Sequence, residues 1–113
     1  MEQISIEQRD IVLLPFPFSD QSGFKVRPAL VASNNTFNRS DDIIVFGITS
    51  NISKNFYTLI INDQNLEKNI IEDSCCIKVE NILKIDKKLI IKKLDRLKES
   101  DFNKLKELIL KIF

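Results

Sequence analysis

The sequence contains no histidine and no tryptophan, and its 113 residues include only two glycines, three prolines and two cysteines. Without histidine the chain lacks the side chain that most often moves protons near neutral pH, and also the commonest nitrogen ligand for metals. That argues against a zinc site and against a Ser-His or Cys-His nucleophile. The two cysteines, Cys75 and Cys76, are adjacent. Neighbouring side chains on a strand point to opposite faces, so the pair is poorly placed to bridge. We read them as small hydrophobes in a reducing cytoplasm, with catalysis or redox sensing as the alternative. No apolar run reaches the length of a membrane span, because Lys and Asn interrupt every candidate, and the start MEQISIEQRD has no basic residues leading into an apolar stretch. A cytoplasmic protein is expected. An excess of one charge is also missing: the net charge is +1, so a site for a polyanion such as nucleic acid must be local. Repeats, low-complexity tracts and linker-like stretches are absent as well.

What is present is a 43% hydrophobic chain of 13.1 kDa, the size of one domain spanning residues 1–113. Its core is modest, and domains of this kind often gain stability by pairing with a second copy. Ile11 to Leu14 forms a short apolar strand, which Pro15 and Pro17 stop from pairing as an interior strand further on. Ser19 to Gly23 is rich in turn-forming residues. Ala29 to Ala32 makes a second strand, broken by Ser33-Asn34-Asn35. Asp42 to Ile48 makes a third, apolar enough to be buried on both faces, and it opens into Thr49-Ser50-Asn51. Tyr57 to Ile61 and Ser74 to Val79 complete the strands, joined by the polar connection from Asn62 to Asn69. In Leu89 to Leu97 the apolar residues Ile91, Leu94 and Leu97 recur at helical spacing, and the residues alone leave helix or strand open. The end is clearer. Ser100 is expected to cap a helix, with Asp101 in its first turn and Phe102, Leu105, Leu108, Ile109 and Ile112 on one apolar face. Short strands followed by one helix predict a mainly β fold, a small barrel with a packed helix.

The segment Asp10 to Ser33, DIVLLPFPFSDQSGFKVRPALVAS, sets Arg27 at the mouth of an apolar strand. A guanidinium fork there suits anionic groups, although an arginine in that place can equally be an ion-pair partner of the strand start. The pattern DIVLxPFPFSDxSGxKxRPALV resembles the PemK/MazF/Kid family of toxins, which are ribonucleases of bacterial toxin-antitoxin pairs. The resemblance implies an SH3-like small β-barrel, shared by the CcdB, Kid and MazF toxins, and a homodimer. It makes Leu89 to Leu97 a bent strand. It further implies cleavage of single-stranded RNA with no cofactor, silencing by a cognate antitoxin protein, contact with DNA only indirectly through that antitoxin, and no membrane partner.

RNA cleavage without a metal needs a base for the 2′-hydroxyl, charge stabilisation at phosphorus, a proton for the leaving 5′-oxygen, and a splayed strand. Arg27 falls on the family's catalytic RP arginine, and its permanent charge suits the second requirement while making it a poor base. Thr49, in the ITSNI stretch, matches the family's active-site threonine. Ser50 supports it, and a hydroxyl there can donate to a phosphate oxygen. Simple strand and turn propensity would otherwise explain both. The family's V-D-Q-L-R-T-L-D segment is matched loosely by Val79 to Asp86. Glu80 stands for the aspartate assigned as base, and Lys78 and Asn81 stand as supporting RNA contacts together with Lys25 and Phe24. Leu83 and Lys84 depart from the usual Arg-Thr pair. Outside the family argument, Glu80 and Lys78 would be a surface ion pair. The lysines Lys84, Lys87, Lys88, Lys92 and Lys93 read as a solvated edge more readily than as a phosphate track. Of Phe16, Phe18, Phe24 and Phe56, most are expected in the core or a dimer contact, with Phe24 the exception that could stack on a base. Two other readings stand beside the nuclease: a CcdB-like gyrase poison, and a degenerate member that binds RNA or antitoxin without cutting.

Overall fold

The computed structural model describes residues 5–17, 22–50, 57–68 and 74–113. Six strands, β1 (Asp10–Pro17), β2 (Phe24–Val31), β3 (Asp42–Thr49), β4 (Thr58–Ile61), β5 (Cys75–Asp86) and β6 (Lys92–Arg96), precede one helix, α1 (Glu99–Ile112). Every pairing is antiparallel, in the spatial order β4-β5-β3-β2-β1-β6. The sheet curls until its two ends meet. Leu66, just after β4, bridges Leu97 at the end of β6, the Glu67 N–H donates to the Arg96 carbonyl at 2.9 Å, and the Lys98 N–H donates to Asn65 at 2.9 Å. Joining the edges in this way covers part of their exposed ladders and gives the expected small barrel.

The seam is also held by charge. Arg9 lies in the left-handed region at φ 81°, uncommon for a side chain of its size. Its surroundings hold it there: the N–H donates to Val31, the carbonyl accepts from Leu97, and the guanidinium reaches Leu97 O at 3.1 Å and Glu67 at 3.2 Å. Asp10, buried beside it, accepts from the Glu7 N–H at 2.8 Å and pairs with Lys93 at 3.1 Å and Arg96 at 3.8 Å.

Both faces of the sheet are apolar. On one, Ile11, Leu30, Phe46, Ile48, Ile61, Ile77 and Val79 pack with Phe102 and Leu105 of α1. On the other, Val12, Leu14, Phe16, Ala29, Val31, Ile43 and Val45 form a second cluster. The central strand β3 is buried on both, as its composition predicts. Leu13 accepts a hydrogen bond from the Ile91 N–H at 2.8 Å. Pro15 and Pro17, two and four residues on, turn their nitrogens to that same side, where β6 has ended. They therefore leave the β1–β2 ladder intact to the Pro17–Phe24 pair, and β1 becomes an edge strand beyond Leu13.

The second strand begins at Phe24 and not at Ala29, so Arg27 lies within β2 and not at its mouth, and the fifth runs on to Asp86 instead of stopping at Val79. Leu89 to Leu97 holds a strand, β6, as the family resemblance implies. Ser100 is not the helix cap: the first turn is already formed by Asp101 and Phe102 N–H groups donating to the Lys98 carbonyl at 3.1 and 3.0 Å, and Lys98 makes no side-chain cap bond. The Lys98–Asn65 seam bond fixes where the chain leaves β6, so tertiary contact sets the helix start ahead of the serine. Asp101 does sit in the first turn, and Ile112 is exposed beyond the packed part of the helix.

Candidate functional site

The ribbon of β1 and β2 places the first basic groups. Leu14 pairs with Arg27 and Phe16 with Lys25. Leu14 and Phe16 are buried in the cluster away from α1, so by strand alternation Arg27 and Lys25 lie on that same face, just beyond the edge of the apolar cluster. Arg27 is half-buried and Lys25 exposed. The last β2–β3 pair is Ala29 with Gly47. Arg27 precedes Ala29 by two residues and Thr49 follows Gly47 by two, so both stand at one end of the sheet and on one face. Thr49 closes β3 opposite Cys76, and exposed Ser50 follows it.

The β3–β5 ladder then breaks in a way that matters for the remaining residues. Between the pairs Phe46–Ile82 and Ile48–Ile77, β3 has one residue, Gly47, while β5 has four, Lys78 to Asn81. The surplus of three is odd, so it reverses the pleat of β5. Leu83 and Ile85 face the cluster away from α1, whereas Cys75, Ile77 and Val79 face α1. Cys76 and Lys78 therefore share the face of Thr49, and with the pleat reversed so does Asn81, at the far end of the bulge. The side chain of Asn81 lies directly over the buried Gly47, with its Cγ 3.1 Å from where a β-carbon would stand.

Lys25, Arg27, Thr49, Lys78 and Asn81 are thus brought to one face, with Ser50 at its rim and Glu80 exposed within the bulge. Phe24 is not among them. It lies in β2 and not in a loop, 71% exposed, and alternation turns it with Val26 to the opposite face. Phe16 is buried, in keeping with the core reading. Phe18, the Ser19–Gln21 part of the loop, Asn51 and Phe56 lie outside the described residues. Among the described residues Lys25, Arg27, Lys78 and Glu80 form no ion pair, so neither the ion-pair reading of Arg27 nor a Lys78–Glu80 bridge has support there. Arg9 and Arg96, by contrast, are held in the seam. The lysine edge is also engaged locally, through Lys84 with Asp42 at 3.9 Å, Lys93 with Asp10, and Lys87 donating to Asn38 O at 2.8 Å. That agrees with a solvated edge more than with a phosphate track.

A patch with three cations that form no ion pair among the described residues, a hydroxyl and an amide on one sheet face can bind a phosphodiester and stabilise charge on it. No three His, Cys, Asp or Glu side chains among the described residues are grouped so as to hold a metal. Cys75 is buried, and burial, with Cys76 beside it, pushes its thiol up to about 11. It is accordingly an inert packing group at neutral pH. Gly47 escaped the sequence reading, although a lone glycine inside the apolar run DIIVFGIT is a usual mark of a bulge or a close backbone approach.

Residues 7–113 match the family of PemK-like, MazF-like toxins of type II toxin-antitoxin systems. No curated protein sequence gives a match. Among solved structures, the fold is similar to MazE-MazF (Form-III) from Deinococcus radiodurans, with a TM-score of 0.77, 14% identity and 96% of each chain covered. An endoribonuclease in complex with its cognate antitoxin from a mycobacterial species gives 0.74 at 15% identity, covering 94% of this chain and 92% of that one. The Mycobacterium tuberculosis toxin MazF-mt6 gives 0.73 at 18% identity, covering 89% and 92%. At such identities these likenesses establish a shared fold.

Proposed function

The chain belongs to the PemK-like, MazF-like toxin family of type II toxin-antitoxin systems, and on that premise we propose that it is a sequence-selective endoribonuclease that cuts single-stranded RNA. The carrying observation is the placement of Arg27 and Thr49 at one end of one sheet face, with Lys25, Lys78 and Asn81 beside them. In the proposed reaction Glu80 takes the proton of the 2′-hydroxyl, whose oxygen then attacks the adjacent phosphorus. The bond to the 5′-oxygen breaks, that oxygen takes a proton from water while Glu80 returns its own to solvent, and a 2′,3′-cyclic phosphate remains. Arg27 holds the charge that builds on the non-bridging oxygens, and Thr49 donates to one of them. Lys25, Lys78, Asn81 and Ser50 contribute binding. The reaction draws on the RNA's own nucleophile and needs no cofactor.

As a member of such a pair, the chain would be silenced by a cognate antitoxin, and it would act in the cytoplasm as a homodimer. The endoribonuclease-antitoxin complex and the MazE-MazF complex among the similar structures support that reading. No helix among the described residues is long and apolar enough to cross a membrane. One observation favours a second reading, an RNA or antitoxin binder that does not cut. Leu83 packs against the core and Lys84 leans on Asp42, so neither position supplies the Arg-Thr contacts that the family resemblance leads one to expect. The two readings separate when purified protein is incubated with a long unstructured RNA in chelator beside Arg27→Ala. Cleavage lost in the variant supports the enzyme, and RNA binding without product supports the binder.

A further inference from the structure

Gly47 stands opposite the three-residue surplus of β5, is buried, and lies beneath the Asn81 side chain. Its backbone is not in a conformation reserved for glycine, since Gly23 is the only described glycine at positive φ. The missing side chain is therefore what leaves room for the Asn81 carboxamide. An added β-carbon would overlap the Asn81 Nδ2, stand 3.1 Å from Cγ, and sit at an ordinary 3.7 Å from Cβ. The conflict is thus with the carboxamide and not with the backbone of the bulge. Lys78, at the other end of the same bulge, shares the face with Arg27 and Thr49.

We propose that Gly47 is a positioning residue: by lacking a side chain it seats the Asn81 carboxamide against β3 and so fixes how the Lys78–Asn81 bulge meets single-stranded RNA beside Arg27. This rests on the RNA-cleaving reading above. A seated amide is held ready to donate and accept at once, and a displaced one pays its ordering cost on binding.

The test compares wild type, Gly47→Ala, Asn81→Ala and the double variant. In the free proteins, ¹H–¹⁵N spectra follow the Asn81 side-chain amide pair, identified by its loss in Asn81→Ala. The expected result is that Gly47→Ala moves that pair, raises KM for RNA about tenfold, the worth of one hydrogen-bonding group, and leaves kcat within about twofold. The double variant should be no worse than Asn81→Ala, because the two act through one group. An unmoved Asn81 amide in folded Gly47→Ala overturns the proposal, as does an equal loss from Gly47→Ala in both backgrounds. Should Gly47→Ala fail to fold, refolding on adding Asn81→Ala supports the proposal, and failure to refold contradicts it. If wild type cuts no RNA, the enzymatic reading falls by itself, while the amide spectra and the affinity for intact RNA still decide the seating.

Discussion

Replacing Arg27 by alanine should separate activity from stability. The residue is half-buried within β2, pairs across the ladder with Leu14, and forms no ion pair among the described residues. Removing it therefore leaves no buried partner uncompensated among the described residues, and the stability cost should stay within about 1 kcal/mol, a shift in melting temperature of roughly 5 °C or less. The effect on turnover is of another order. A preorganised charge partner of a developing oxyanion is worth about 2.7 to 4 kcal/mol, so cleavage should fall roughly a hundred- to a thousandfold. Arg27→Lys should regain little, since an ammonium cannot offer the planar fork that spans two phosphate oxygens. The assay is single-turnover cleavage of a labelled unstructured RNA, run beside circular dichroism melts of the same preparations. Near-normal cleavage by a folded Arg27→Ala protein would refute the reasoning. So would a large drop in melting temperature, because Arg27 would then be a structural residue.

Asp10→Ala should lose about 2 to 3 kcal/mol in urea unfolding, below the cost of breaking a fully buried pair because Lys93 and Arg96 keep some solvent contact; an unchanged midpoint would show that the seam charges hold nothing. The Cys75 thiol is raised from 9.0 to about 11 in the folded chain, so the unfolded chain ionises first and stability should fall as pH climbs from about 9 towards 11, with Cys75→Ser flattening that fall in pH-dependent melts. An acidic antitoxin segment should compete with RNA for the Arg27 face, both affinities should weaken with salt, and Arg27→Ala should weaken both. Simultaneous, independent binding of the two in a titration would rule out a shared face.

What the sequence made legible was whatever depends on local pattern. Short apolar runs identified the cores of β1 to β5 and the three-and-four spacing identified α1, whereas the strand expected to start after Arg27 starts before it, at Phe24. What it left unread depends on contacts between distant parts. The helix begins before Ser100 because the Lys98–Asn65 bond belongs to the barrel seam. The residues of Leu89 to Leu97 carry a helical spacing, yet pairing of β6 with β1 takes precedence over it. The family resemblance, and not the spacing, pointed to the strand. Phe24 followed Lys25 into a ladder whose length only the β1 partner decides, and the pleat then turned it away from Arg27. The bulge is the clearest case: Gly47 and the Lys78–Asn81 stretch are far apart in sequence, and their meeting sets which face Lys78 and Asn81 occupy.

In the proposed reaction this chain cuts RNA through the 2′-hydroxyl at the Arg27–Thr49 face. That reaction is tested most directly by mapping the ends made from a long unstructured RNA in chelator. Fragments ending in a 2′,3′-cyclic phosphate or its 3′-phosphate hydrolysis product are expected, with no cut where the nucleotide preceding the scissile bond carries a 2′-deoxy sugar. Loss of cleavage in chelator, or unchanged cutting at the 2′-deoxy position, would contradict it.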